Sequence, residues 1–314
     1  MNDSKKLSVG VAVITLNAER HLPFCLPPLI RSTLCPRVLV LDSTSNDNTV
    51  KLSEKLGAET LVIPRHEFNH GLTRERARRH LNTDIVVFLT QDAYTVNEGM
   101  LEKLVEPLQQ KLASVSYARQ MPHRGADIFE AFPREFNYPI ASQMRGIDDV
   151  AAHGVYTFFC SNSCAAYLNS ALDEIGGFKP ILFGEDTLAV AELLHKGHKI
   201  AYVAEAEVRH SHRYTLVQEF RRNFDIGLSR KELQPWIACA GLDEKRGARY
   251  IKELTQRLLR DNKTLLPYAY LQSVFKLLGY RLGRASTKAP LWFKRAVSSQ
   301  KYYWDNFGKE NSSK

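Results

Sequence analysis

Between Val9 and Leu89 apolar strands alternate with helical stretches, and this alternation confines the chain to few folds. Val9-Gly10-Val11-Ala12-Val13-Ile14 reads as the first strand; it runs into Thr15-Leu16-Asn17 and then a helical stretch. A second strand, Arg37 to Leu41, ends in Asp42-Ser43-Thr44-Ser45-Asn46-Asp47-Asn48-Thr49 and opens a helix from Val50 to Leu56, closed by Gly57. Glu59 to Ile63 is a third strand, and a helix from Arg74 to Leu81 leads into a fourth, Ile85 to Leu89. The pattern predicts an α/β fold with a right-handed, mostly parallel sheet flanked by helices.

The fourth strand is a continuous β-branched and aliphatic run, of the kind buried on both faces of a parallel sheet. Asp92, in Thr90-Gln91-Asp92-Ala93, should therefore emerge at its carboxyl end, where ligands of open α/β sheets bind. A turn also uses Asp at such a place. Asp42 lies at the end of the second strand, so the two carboxylates share one sheet edge, as in a nucleotide site. A nucleotidyltransferase would want a Gly-rich phosphate loop after the first strand, and Thr15-Leu16-Asn17-Ala18-Glu19 is not one.

Thr15-Leu16-Asn17, the Asp42 to Thr49 segment, Leu89-Thr90-Gln91-Asp92-Ala93 and Gly184-Glu185-Asp186-Thr187 together resemble inverting family 2 glycosyltransferases of GT-A fold. Phe68-Asn69-His70-Gly71-Leu72-Thr73-Arg74 and His210-Ser211-His212-Arg213-Tyr214-Thr215, followed by Gln218-Glu219-Phe220 and Phe224-Asp225-Ile226-Gly227, resemble more narrowly the bacterial rhamnosyltransferases of surface polysaccharide assembly. The resemblance spans roughly residues 8 to 230. Where the common pattern has Asp-x-Asp, this chain reads Thr90-Gln91-Asp92 and keeps only the last carboxylate.

The resemblance implies that Thr15, Asn17, Asp42, Arg74, Gln91 and Asp92 bind the nucleotide sugar. Asp42 would accept hydrogen bonds from the base, or else tie Ser43 to Ser45 as a turn residue. Asp92 would hold a divalent metal bridging the two phosphates, Mg2+ or Mn2+ given hard oxygen ligands. His210 and His212 follow the strand Lys199 to Val203 and a short extension to Arg209. Residues two apart on a strand point the same way, so both imidazoles can face the donor phosphates and one can complete the metal shell. A surface His pair without function is the alternative. Arg74, read as lying in the first turn of its helix, can pair with phosphate beside the helix dipole, or is simply an exposed cation. His66 and Asn69 are expected to border the same cleft.

Inverting transfer needs a base for the acceptor hydroxyl, and the second acid of the family's Glu-Asp pair, Asp186, is the expected one. It also reads as the N-cap of a helix from Leu188 to His195, ended by Gly197. Glu185 is expected to position the site, and Asn162 and Ser163, in Phe158-Phe159-Cys160-Ser161-Asn162-Ser163, to line the acceptor side on a strand between donor and base segments. Pro122 to Gly154 shows no sustained period and reads as a lid or acceptor-binding insertion.

Five cysteines, odd in number and scattered, suit a reducing compartment, and Cys160 and Cys164 alone do not make a zinc site, so buried thiols are expected. No eighteen-residue apolar run exists, and Met1 to Lys6 lacks the apolar core of a signal peptide. The net charge of +9 is uneven: residues 261–314 hold ten Lys and Arg against three acids, interleaved with Trp292, Phe293, Trp304 and several Tyr. Such a segment suits an interfacial membrane contact, or a solvated helical subdomain whose aromatics pack inward. No nucleic-acid motif accompanies the charge, so nucleic acid is not an expected partner. The expected organisation is a GT-A domain over 1–230 and a basic, aromatic-rich helical region over 231–314, the boundary drawn where Gly227 and Ser229-Arg230-Lys231-Glu232 precede Pro235. The expected activity is transfer of L-rhamnose from a dTDP donor to a lipid-linked saccharide, in the cytoplasm at the inner face of a bacterial membrane. The alternatives are a UDP-hexose donor and, in another class, a nucleotide-binding protein without transfer activity.

Overall fold

The computed structural model describes residues 7–241 and 244–312. Among them, nine strands form one sheet: β1 Val9–Thr15, β2 Arg37–Asp42, β3 Glu59–Val62, β4 Ile85–Thr90, β5 Tyr94–Thr95, β6 Val115–Met121, β7 Gln143–Arg145, β8 Cys164–Leu168 and β9 Ile200–Arg209, in the order β3-β2-β1-β4-β8-β6-β9-β5 with β7 on β9. The four strands expected from the N-terminal alternation are parallel to one another. Both faces of β1 are covered: Val9, Val11 and Val13 enter one core cluster, Ala12 and Ile14 the other. That two-sided burial is why these strands read as unbroken apolar runs rather than alternating ones.

The middle of the sheet is mixed. β8 runs antiparallel to both β4 and β6, with Leu89 opposite Cys164, so the beginning of β8 meets the carboxyl end of β4. β6 and β9 are parallel, and a bulge after Ala118 re-registers them so that Gln120 lies opposite Val208. The carboxyl ends of β2, β4, β6 and β9 and the entry to β8 thus share one edge.

Several local expectations shift. The helix expected from Arg74 begins at His70, because Asn69 caps it by accepting from Gly71 N and Leu72 N, each at 3.0 Å. Residues 158–163 are not a strand; a 3-10 turn, Gly154–Phe158, and a loop lead into β8. The segment from Pro122 to Gly154 is not irregular throughout: Ile128–Asn137 is a helix capped by Asp127. Its Phe132 and Phe136 pack on Tyr250, and Phe129 packs on Tyr268, fastening the C-terminal helices to the sheet domain. Of the cysteines, Cys25, Cys160 and Cys164 are buried, whereas Cys35 and Cys239 are exposed.

The helix Leu216–Ile237 runs through residue 230 without a break and contains Pro235, so the composition change there marks no linker. It crosses the helix Leu266–Ala285 at backbone contact. A Cβ placed on Gly227 would lie 2.1 Å from the Tyr280 carbonyl oxygen, and one on Gly283 would lie 2.1 Å from that of Phe224. Only glycine permits this approach. The C-terminal aromatics divide: Trp304 is buried with Phe224, Leu228 and Leu182, Phe293 packs partly against them, and Trp292 is 72% exposed. Trp304 therefore belongs to a core rather than to a free surface. No helix among the described residues is long and apolar enough to cross a membrane.

Candidate active site

At the shared edge, the loop after β1 and the loop after β2 interlock. Asn17 takes a left-handed backbone, φ 51°; its N–H donates to Ser45 Oγ at 2.7 Å, and its Oδ1 accepts from Asn46 N at 2.9 Å. Asp42 is fully buried, and its carboxylate accepts from Thr15 Oγ1 at 3.0 Å and from Ser45 N at 2.7 Å. The carboxylate thus makes the turn contact to Ser45 that the alternative role for Asp42 expected. Gln91 braces the same loop by accepting from Leu16 N at 2.8 Å.

Asp92, His210 and His212 converge. Asp92 Oδ1 lies 3.5 Å from His210 Nε2, Asp92 Oδ2 lies 3.6 Å from His212 Nε2, and the two ring nitrogens are 3.0 Å apart. One ligand atom from each falls within a 4.8 Å cluster. Burial pushes the imidazole of His210 well below its ordinary range and that of His212 down as well, so both are neutral donors. His210 Nδ1 donates to Gln120 Oε1 at 2.9 Å, which leaves the Nε2 lone pair aimed at Asp92 and His212. Two neutral imidazoles and a carboxylate at this spacing fit a divalent cation. The nitrogen share of the donor set favours Mn2+ over Mg2+. Gln120 escapes sequence reasoning, since nothing in its own strand ties it to a histidine ninety positions on.

Gly184 at φ 88° starts the helix Glu185–His195. Asp186 is thus the second residue of the first turn, not an N-cap. Its Oδ1 accepts from Thr187 N at 2.7 Å and its Oδ2 from Asn162 N at 3.3 Å. Burial first, and the neighbouring Glu185 charge second, push Asp186 up to about 7. Glu185 itself stays ionised: burial opposes its charge, but Arg74 Nη1 at 3.0 Å and Asn162 Nδ2 at 3.0 Å outweigh it. Tyr167 OH donates to Asn162 Oδ1 at 2.8 Å and fixes that amide. Ser163 O accepts from Thr90 N at 3.3 Å while Asn162 N donates to Asp186, so the loop before β8 links the segment preceding Asp92 to Asp186.

Arg74 is placed differently from expectation. In the second turn of its helix and 4% exposed, it spends its charge on Glu185 and donates to His70 O at 2.9 Å. A residue the sequence did not flag, Tyr302, closes this corner with its hydroxyl 3.3 Å from His70 Nε2.

The sheet is similar to that of a mannosyltransferase from Pyrobaculum calidifontis solved with GDP-Man and Mn2+ (TM-score 0.56, 14% identity, 98% of this chain and 88% of that one). It is also similar to S. aureus TarS residues 1–349 (TM-score 0.51, 15% identity, 90% and 91%). These likenesses show the fold, which is GT-A, the architecture of glycosyltransferases. Residues 10–176 match the model of Glycosyl transferase family 2. The chain is 36% identical over 305 residues to the O-antigen chain rhamnosyltransferase RfbN of Salmonella typhimurium, covering 96% of this chain and 97% of that protein. It is 38% identical over 273 residues to the O-antigen chain rhamnosyltransferase WbaN of Salmonella anatum, covering 86% of each. The chain belongs to glycosyltransferase family 2.

Proposed function

We propose that this family 2 glycosyltransferase moves L-rhamnose from dTDP-L-rhamnose, with inversion, to a lipid-linked saccharide at the inner face of the cell membrane, in O-antigen or related surface polysaccharide synthesis. The observation that carries the mechanism is Asp186, a carboxylate raised to about 7 and bonded to Asn162 N, on the loop whose Ser163 carbonyl oxygen accepts from Thr90 N two residues before Asp92. The relatives' names and their identity over most of the chain support the sugar and the pathway class.

In this reading the interlocked loops of Thr15, Asn17 and Asp42 cradle the nucleoside, with Asp42 acting through the turn it shapes and Gln91 bracing it. Asp92, His210 and His212 would hold Mn2+ or Mg2+, which would neutralise charge developing on the leaving diphosphate. Asp186 takes the proton of the acceptor hydroxyl as that oxygen attacks the anomeric carbon from the face opposite the diphosphate. Its backbone donors, Thr187 N and Asn162 N, aim the carboxylate. Glu185 keeps Asp186 basic, and Arg74 holds Glu185 in place. Asn162 and Ser163 border the acceptor.

The test is a panel of nucleotide sugars scored for released nucleoside diphosphate, with product configuration read by NMR. The expected result is acceptor-dependent release of dTDP from dTDP-L-rhamnose and an inverted linkage. Faster turnover of a UDP-hexose would replace the donor, and binding without turnover of any donor would leave a nucleotide-binding protein.

A further inference from the structure

The helix Leu266–Ala285 has two unlike faces. Its inner face, through Gly279 and Gly283, lies against the helix Leu216–Ile237. Its outer face carries Leu271, Val274, Leu278 and Leu282 at helical spacing, with Leu277 beside them, each between 36% and 53% exposed. None of these stripe positions is charged, and the helix contains no Asp or Glu along its length, its charges being Lys276, Arg281 and Arg284. Directly beside the stripe is a cleft of about 360 Å³ lined by Lys231, Leu277, Tyr280, Arg281, Arg284 and Ala285. Leu277 belongs to both features, so stripe and cleft are continuous. None of the three cations makes a salt bridge among the described residues, although Arg284 lies over the Tyr280 ring at 5.9 Å.

We propose that this surface docks the protein on an anionic phospholipid bilayer, the leucine stripe entering the acyl boundary while a lipid phosphate seats among Lys231, Arg281 and Arg284. An apolar stripe alone would suit several partners, and the cleft decides between them. Unpaired cations flanking exposed leucines match the order of a bilayer surface, in which phosphate sits just outside the acyl region. A second copy of the chain packed on the stripe about a two-fold axis would bring two such trios of cations close together, an unfavourable arrangement. The contact is separate from the transfer chemistry, since none of these residues belongs to the site at the sheet edge.

The experiment is co-sedimentation of the full chain with vesicles of phosphatidylcholine alone and of phosphatidylcholine mixed with phosphatidylglycerol, at low and high salt. Binding should require phosphatidylglycerol and fall with salt. Arg281→Ala with Arg284→Ala should weaken it by roughly 20-fold, about fivefold for each cation removed. Val274→Glu with Leu278→Glu should abolish it. Both double variants change exposed or half-exposed positions, and thermal melts check that they fold. Their turnover of a water-soluble acceptor should match the parent, and Asp186→Asn should still bind vesicles, so vesicle binding is read independently of the transfer reading. Equal binding to neutral vesicles, or folded variants that sediment like the parent, would overturn the proposal. So would a dimer in analytical ultracentrifugation that Val274→Glu with Leu278→Glu dissociates, because the stripe would then be a contact between copies.

Discussion

Asp186→Asn separates a catalytic from a structural role, because the two predict opposite effects on stability. The carboxyl is raised from an ordinary 3.8 to about 7, and that rise corresponds to about 4 kcal/mol between the protonated and ionised forms. A carboxyl whose folded pKa is raised favours the fold fully below its unfolded pKa, and the contribution is lost as pH rises through the folded value. Wild-type stability should therefore decline between pH 4 and pH 7 on account of this residue, by at most about 4 kcal/mol and by less where water reaches the carboxyl. The neutral amide lacks that dependence. At pH 8 Asp186→Asn should be the more stable protein, by about 2 kcal/mol or more, while the two should converge near pH 4. Its turnover should fall roughly 100-fold or more with donor affinity near wild type, since only the proton acceptor is lost. In the wild type, kcat/KM should rise with pH and level off above about 7. Urea titrations at both pH values, beside initial rates of nucleotide release, provide the test. A variant that is less stable at pH 8 and retains near-normal turnover would return Asp186 to bracing Thr187 and Asn162, and the reasoning would fail.

Excess chelator should abolish turnover, and Asp92→Ala should weaken nucleotide binding in the presence of Mn2+ or Mg2+; unchanged rates in chelator would remove the metal from the mechanism. Gln120→Ala should loosen Mn2+ by roughly 10- to 100-fold in titration calorimetry without lowering the melting temperature much, because it frees the His210 ring to turn. Gly283→Ala must push apart two helices whose backbones touch, and chemical denaturation should register a loss of about 1–3 kcal/mol or more; a neutral outcome would mean that the crossing is looser than described.

The sequence by itself determined the parallel half of the sheet and the residues that end its strands. Unbroken β-branched runs such as Ile85–Leu89 suit only a strand covered on both faces, so Asp42 and Asp92 had to appear at a carboxyl edge. The His-Ser-His spacing likewise put both imidazoles on one side of a strand end, where they face Asp92. What the sequence left open depends on partners distant along the chain. Asp186 reads as the expected base but also as a cap, and burial beside Glu185 is what raises it to about 7. Arg74 reads as a phosphate ligand until Asn69 starts the helix a turn early and Glu185 takes its charge. The basic, aromatic tail reads either as a membrane segment or as a packed helical subdomain, whereas the structure buries Trp304 against Phe224, Leu228 and Leu182, and the glycine contacts between two helices leave Leu271, Val274 and Leu278 outside. Periodicity and strand propensity are properties of neighbouring residues, and the chain displays them directly. Desolvation, ion pairing and the choice of a helix's buried face are set by whatever packs against it, and only the tertiary structure supplies that.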